Sequence, residues 1–386
     1  MSLSTPQEVA TATHVGIVGG GQLARMMAES APDIGLKITV LDPTPDCPAR
    51  EFAAQLIGDF DDATQLTELA RTTSVVTLDI EAVTASCLAA LERSGTRVAP
   101  SAEVLGIIQD KFRQKEFLQQ HALPTSDFRA LAVGDHAALA AFGLPCVMKA
   151  RRHGYDGRGV KVVRTPADAT ALLQVPCLVE RLVDIDKELA VMVARNWQGE
   201  IATYPVVEAH FDPRANILDL IQAPAAISAE LAAQCQALAR RIVECLDGIG
   251  IFGIEFFLTR AGEILINEIS PRPHNSGHYT IEACVTSQFE QHLRAVTGQP
   301  LGPTTLLRPA ASFNLLGEPG AHGAPRIEGL ARARQTRGTS VHLYGKHTVK
   351  PFRKMGHVTV TADTLGEALA TAHALQGTLK VFGDAR

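Results

Sequence analysis

The segment His14-Val-Gly-Ile-Val-Gly-Gly-Gly-Gln-Leu-Ala-Arg-Met26 constrains the fold of this chain more than any other stretch. An apolar strand runs into Gly19-x-Gly21-x-x-Ala24 and then into a helix, as in a parallel βαβ unit whose turn presents backbone N–H groups to an anion. The acidic Asp42 stands where a dinucleotide site keeps its ribose-binding carboxylate. These residues leave three readings open: a nicotinamide-dependent dehydrogenase, some other phosphate site, or a tight turn with no ligand. The loop after Asp42, Pro43-Thr-Pro45-Asp-Cys-Pro48, says little about an adenosine ribose.

The same alternation continues to about Pro100. Strands are expected at 15–18, 37–41, 74–78 and 97–99, with helices near 23–31, 62–71 and 84–92. Strands separated by helices of this length make a doubly wound parallel sheet. The near-helical spacing of Val104, Leu105, Ile108, Phe112 and Leu118 predicts a single helix over 102–121, stopped by Pro124. The pattern then changes to strands at 145–150, 160–164 and 177–182, and to hairpins pairing 188–195 with 200–208 and 253–258 with 264–269. A helix at 229–246 and a last one at 362–376 complete an α+β module that is no second Rossmann half.

Composition narrows the function classes. A net charge of -5 argues against sequence-independent nucleic-acid binding, and one Trp with four Tyr leaves few base-stacking platforms. Seven cysteines stand singly, at Cys47, Cys87, Cys146, Cys177, Cys235, Cys245 and Cys284, with no C-x-x-C and no zinc spacing, so free thiols in a reducing compartment are expected. Residues 1–13 lack a basic start and a continuous apolar stretch, and read as a loose tail and not a signal peptide. No apolar run reaches about 18 residues, so no membrane span is expected and the protein is placed in the cytoplasm.

Several constellations carry chemistry. Glu255 and Glu268 lie on the two strands of one expected hairpin, in about cross-strand register, and paired carboxylates on neighbouring strands are a common clamp for Mg²⁺. Apolar Ile264, Leu265, Ile266 and Ile269 surround Glu268, so it needs a cation or hydrogen-bond partner. Lys149 closes an apolar strand ahead of Arg151-Arg-His-Gly-Tyr-Asp-Gly-Arg-Gly159, a glycine-rich cationic loop suited to covering a polyphosphate, or equally to a solvated hairpin. Pro271 and Pro273 bracket Arg272 in an extended path, followed by His274, Asn275, Ser276 and His278. An Arg held this way can fork onto a carboxylate or phosphate. Near the end, Lys346, Lys350, Arg353, Lys354 and His357 group together, with turns suggested at Gly345 and Gly356.

Taken together, "GGGQLARM", "QDKFRQKEFL", "VMKARRHGYDGRG", "NEISPRPHNSGHYTIEACVTSQFEQHLRA" and "LYGK…FRKMGH" resemble the ATP-grasp superfamily, and within it the 5-(carboxyamino)imidazole ribonucleotide synthase family of purine biosynthesis. The motifs run in the family's order over nearly the whole chain. The resemblance implies α/β and α+β architecture: an N-terminal doubly wound domain over 14–105, a small ATP-clamping lid region over 106–185, and a C-terminal domain over 186–386 with a small subdomain from about 305. It implies that ATP phosphorylates bicarbonate to carboxyphosphate, whose carboxyl passes to the amine of 5-aminoimidazole ribonucleotide. Mg²⁺, with Mn²⁺ as its substitute, and a homodimer are implied as well.

Carried over position by position, the resemblance implies that Lys111 and Lys149 contact the ATP phosphates, that Glu180 with the backbone of Leu182 and Val183 holds the adenine, and that Glu188 holds the ribose; Asn267 joins the ATP site. Glu255 and Glu268 are the implied metal ligands. Tyr155, Asp156 and Arg158 border the aminoimidazole, while Arg272 and the segment Asn275, Ser276 and His278 hold bicarbonate and nucleotide. Arg272, Asp156, His278 and Lys149 are the implied catalytic residues. Lys346, Arg353 and Lys354 grip the 5′-phosphate together with the loop Gly20, Gly21, Gln22 and Leu23, and Glu81 touches the ribose of that nucleotide. Two positions depart from the family's pattern: Asp79-Ile80-Glu81 stands for an acidic-aromatic-acidic run, and Ser270 stands where many ATP-grasp enzymes have a further Asn ligand. A formate-using glycinamide ribonucleotide transformylase would lack "PRPHNSGH" with "FRKMGH". A dehydrogenase does not account for the paired acids, and an inactive nucleotide sensor does not account for intact Lys149, Glu255, Glu268 and Arg272.

Overall fold

A computed structural model describes residues 13–152, 154, 159–168, 173–212 and 217–384; the expected loose tail lies outside them except for Thr13. The N-terminal alternation folds into four parallel strands in the order Ala54–Ile57, Lys37–Asp42, His14–Val18, Val75–Leu78, with helices Gln22–Ser30, Ala63–Thr72 and Ala85–Arg93. Val15, Ile17 and Val40 join one buried apolar cluster and Val18, Leu41 and Leu78 another, so the sheet is covered on both faces as parallel sheets require. The edge strand Ala54–Ile57 is too short and too exposed to show a pattern in the sequence. The strand expected at 97–99 shrinks to one bridge, Val76 with Val98, because Pro100 follows and offers no N–H to continue the pairing.

The helix expected over 102–121 is two helices, Ala102–Ile108 and Lys111–Gln120. Asp110 breaks it. Its backbone is extended, and its carboxylate accepts the N–H groups of Phe112 and Arg113 as an N-cap. The same carboxylate takes Arg151 Nε and Nη2 at 2.9 and 2.7 Å, and the Lys111 N–H donates to the Arg151 carbonyl at 2.9 Å. The break therefore ties the second helix to the chain just after Lys149. It also places Lys111 and Lys115, four residues apart, on one helix face.

A second sheet, antiparallel, runs Phe128–Leu131, Cys177–Arg181, Cys146–Ala150, Val160–Val163. The third sheet is the largest and is antiparallel throughout: Ile264–Ser270, Gly250–Thr259, Ile185–Arg195, Val207–Asp212, Ile217–Ala223, Ala310–Leu316, Lys354–Thr361, Thr339–Leu343. The hairpin expected over 188–195 and 200–208 forms in two pieces, because Pro205 interrupts the returning chain: Ile201–Thr203 and Val207–Asp212 both pair with Ile185–Arg195. Helix Ala229–Cys245 packs against this sheet through Cys235, Ala239, Ile242 and Val243, and Leu365–Thr378 closes the chain's last core behind a Thr364–Glu367 capping box. All seven cysteines are free. Among the described residues no helix is long and apolar enough to cross a membrane.

His292 joins the first sheet to the third. Its Nδ1 accepts the Ile251 N–H at 3.1 Å, which leaves Nε2 protonated to donate to Thr77 Oγ1 at 2.7 Å. The ring is fully buried, and burial pushes its pKa down to about 3. In the unfolded chain the ring takes up a proton near pH 6.5. Its contribution to stability is therefore complete above about pH 6.5 and is lost as the pH falls toward 3. Replacing His292 with Ala strands the Ile251 N–H and opens a void, so chemical denaturation at neutral pH should show a loss on the order of 3 kcal/mol. A variant as stable as the parent would mean that this junction is not what holds the two sheets together.

Candidate active site

The expected cross-strand pair forms: Glu255 on Gly250–Thr259 lies directly opposite Glu268 on Ile264–Ser270, with a bulge immediately after Glu255. Their side chains are 29% and 40% exposed, open to a cleft. Lys111 forms an ion pair with Glu268. Asn267 Nδ2 donates to Glu255 Oε2 at 3.2 Å, and His274 Nε2 lies 3.7 Å from Glu255 Oε1. Gly253 permits that approach, since a Cβ there would sit 2.8 Å from His274 Cβ. Desolvation, then the charges of Glu268 and Glu188, push Glu255 up to about 7. Glu268 meets the same desolvation, but Lys111 outweighs it and holds this carboxyl below its usual range.

Two opposed carboxylates are what the protein offers a cation here, for among the described residues no set of three or more His, Cys, Asp or Glu side chains could hold a metal. That donor set fits magnesium, which takes one or two protein carboxylates and completes its shell with water and substrate phosphates. Desolvation first, and then the like charges of Glu268 and Glu188, disfavour the charged form of Glu255, a cost that a divalent cation offsets.

Deeper in the cleft, Lys149 Nζ donates to Asn267 Oδ1 at 2.9 Å and to Glu180 Oε2 at 3.2 Å. Asn267 thus links the acid pair to the end of the cleft where Glu180 lies. Glu180 Oε1 is buried and, among the described residues, has no hydrogen-bond partner, as expected of an acceptor that meets a base. Burial opposes the charge of Glu180, but Lys149 and Lys115 hold it below the usual carboxylate range. Glu188 projects from the neighbouring strand, where desolvation pushes it up to about 7. Leu182 and Val183 follow directly on the strand that ends at Arg181, and the Leu182 N–H already donates to the Pro145 carbonyl at 3.4 Å.

The glycine loop differs from expectation. The Gly20 N–H donates to Asp42 Oδ2 at 2.8 Å, while the Gly21 and Ala24 N–H groups donate to Asp79 at 2.7 and 2.9 Å. A Cβ on Gly21 would lie 2.5 Å from that carboxylate. Two of the chain's own acids thus fill the turn that was expected to meet a phosphate, which corrects Gly20 and Gly21 as amide donors and leaves Gln22 and Leu23 at the helix start. Asp42 holds the Gly20 and Thr44 amides, not a ribose. The dehydrogenase reading loses both of its anchors.

Arg272 Nε pairs with Glu81 Oε1 at 2.9 Å, joining the turn that follows Val75–Leu78 to the chain just past the acid-bearing hairpin. Asn275 Nδ2 is buried with no hydrogen-bond partner among the described residues, a donor set for an anion. Ser276 is buried, its hydroxyl 2.8 Å from His274 Nδ1. His278 is corrected as a contact residue: it is 1% exposed, held by Gln288 at 2.9 Å and packed 4.6 Å from the His357 ring. Burial takes its pKa well below the ordinary range, so it is a neutral wall behind the site. Gly345 passes against Arg25 of the first helix, bringing the C-terminal cation loop to the glycine turn. There Lys346 Nζ donates to the Lys354 carbonyl at 2.7 Å, and Arg353 Nη1 donates to Thr348. Tyr155, Asp156 and Arg158 lie outside the described residues. Sequence reasoning missed Asp110, Lys115 and Ser126; the spacing of Lys115 from Lys111 was the available signal.

Comparison with known proteins agrees with this geometry. Three domain families match in order: a ribonucleotide synthetase preATP-grasp domain over 12–109, an ATP-grasp domain over 116–289, and a phosphoribosylaminoimidazole carboxylase C-terminal domain over 310–371. The N5-carboxyaminoimidazole ribonucleotide synthase of Synechococcus elongatus is 40% identical, over 91% of this chain and 90% of the relative. The crystal structure of the N5-carboxyaminoimidazole ribonucleotide synthetase of Thermotoga maritima superposes with a TM-score of 0.90 at 45% identity, covering 96% of this chain and all of that one. The Aspergillus clavatus N5-carboxyaminoimidazole synthase, solved with ADP and 5-aminoimidazole ribonucleotide, gives 0.86 at 34% identity, covering 95% and 98%. The chain belongs to the N5-carboxyaminoimidazole ribonucleotide synthase family of ATP-grasp ligases.

Proposed function

We propose that the chain carboxylates 5-aminoimidazole ribonucleotide with bicarbonate and ATP, giving 5-(carboxyamino)imidazole ribonucleotide, ADP and phosphate in purine biosynthesis. The observation that carries this is the cross-strand Glu255–Glu268 pair, flanked by Lys111 and Lys149 and followed at once by Arg272. The adenine lies against Glu180 with the Leu182–Val183 backbone, the ribose against Glu188, and the phosphates against Lys111 and Lys149. Glu255 and Glu268 hold magnesium, which when bound neutralises charge on the transferring phosphoryl group. Arg272 and Asn275 orient bicarbonate, one oxygen of which attacks the γ-phosphorus as ADP leaves. The ribonucleotide binds between Glu81 and the cations Lys346, Arg353 and Lys354, its phosphate at the Gln22–Leu23 helix start; Tyr155, Asp156 and Arg158 are assigned to its aminoimidazole on the resemblance alone. Its amine then attacks the carboxyl carbon, phosphate departs, and the amine proton passes to a base, for which Asp156 is proposed. The lid shields carboxyphosphate from water in between. The same reading makes the protein a cytoplasmic homodimer with the three-part division given above.

The test is ADP release from Mg-ATP, with 5-aminoimidazole ribonucleotide and bicarbonate added separately and together. Release that needs the ribonucleotide and rises with bicarbonate is expected; release that needs formate and glycinamide ribonucleotide would keep the fold and overturn the substrate. Glu268→Gln should reduce this release by at least about 10³-fold while leaving the thermal unfolding temperature within a few degrees of the parent. Normal turnover by that variant would move the magnesium site elsewhere.

A further inference from the structure

Glu180 is fixed by one oxygen only. Its Oε2 takes the Ser126 hydroxyl at 2.9 Å, Lys149 Nζ at 3.2 Å and Lys115 Nζ at 3.5 Å, while Oε1 takes nothing among the described residues. The two lysines differ in freedom. The Lys149 side chain is 14% exposed, shares its ammonium with Asn267, and on the reading above turns to the phosphates of ATP. Lys115 is 3% exposed, and its ammonium is also bound to Thr125 Oγ1 at 2.6 Å and to the Ile266 carbonyl at 3.1 Å. A carboxylate as buried as Glu180 is stable as an anion only beside a cation. Once Lys149 is drawn to phosphate, Lys115 is the cation that stays.

We propose that Lys115, acting with Ser126, is a positioning residue for nucleobase choice: the pair holds Glu180 by Oε2 so that Oε1 faces the base edge and selects a 6-amino purine over a 6-oxo purine. This rests on Glu180 meeting the adenine. An amino group donates to Oε1, whereas a 6-oxo group sets two acceptors face to face, and a site built around such a bond rejects the wrong partner strongly. Burial pushes the Lys115 ammonium down to about 8, while the charge of Glu180 opposes that fall, so each group depends on the other for its ionisation.

The experiment measures kcat and KM for ATP and for inosine triphosphate with the full enzyme, Mg²⁺, ribonucleotide and bicarbonate. It compares the parent with Lys115→Met, Lys115→Arg, Ser126→Ala and Glu180→Gln. Lys115→Met should raise the KM for ATP more than it lowers kcat, and should cut the ATP-to-inosine-triphosphate ratio of kcat/KM about tenfold. Lys115→Arg should recover part of that ratio, and Ser126→Ala should lower it less. If Glu180→Gln collapses the ratio while Lys115→Met and Ser126→Ala leave it unchanged, Lys115 is only structural and the proposal fails. An unchanged ratio in Glu180→Gln would instead remove the adenine assignment on which it rests. Should Lys115→Met not fold, Ser126→Ala decides: a lowered ratio supports the proposal and an unchanged one overturns it.

Discussion

Two carboxylates facing each other across adjacent strands are the constraint around which this structure is arranged. Glu255 and Glu268 lie opposite one another at an otherwise apolar hairpin, and the chain surrounds them with Lys111, Asn267 and His274. Each of those partners is held in turn. The Asp110 break starts the Lys111 helix, Asn267 is shared with Lys149, and Gly253 lets His274 pass close to the strand. An unbroken helix through residue 110 would lose the cap that ties the start of the Lys111 helix to Arg151. The local breaks in regular structure are therefore what assemble the site.

The connections between domains follow the same economy. Arg272, just past the acid-bearing hairpin, pairs with Glu81, just past the first sheet's Val75–Leu78, and His292, on the helix Gln288–Thr297, binds both Ile251 of the third sheet and Thr77, two residues before Asp79. Asp79 then caps the helix that opens at the glycine turn. The buried rings of His278 and His357 pack 4.6 Å apart, the half-buried His342 stacks on His357 at 4.5 Å and pairs with Glu282 at 2.5 Å, and together they back the cation loop. Burial takes His278 and His357 well below the ordinary imidazole range, so these two rings wall the site as neutral groups near neutral pH.

Much of this was legible in the residues. Alternating apolar runs gave the parallel sheet, and the short connection between the expected strands 253–258 and 264–269 gave the Glu255–Glu268 register, because period and hairpin length are local. What escaped depended on distant partners. A capping Asp inside a helical pattern, a lysine buried by strands more than a hundred residues away, and two acids closing a glycine turn all take their meaning from tertiary contacts. His278 misled for the same reason, since a histidine among polar neighbours in sequence need not share their exposure in space.

The central claim is that the acid pair and its cations serve to phosphorylate bicarbonate. Turnover with ¹⁸O-labelled bicarbonate tests it directly by mass analysis of the released phosphate. Carboxyphosphate formation predicts one bicarbonate oxygen in each phosphate, because that oxygen bonds to phosphorus and stays there when the carboxyl group leaves. Phosphate free of label would contradict the claim and return the γ-phosphoryl group to water or to the ribonucleotide as its acceptor.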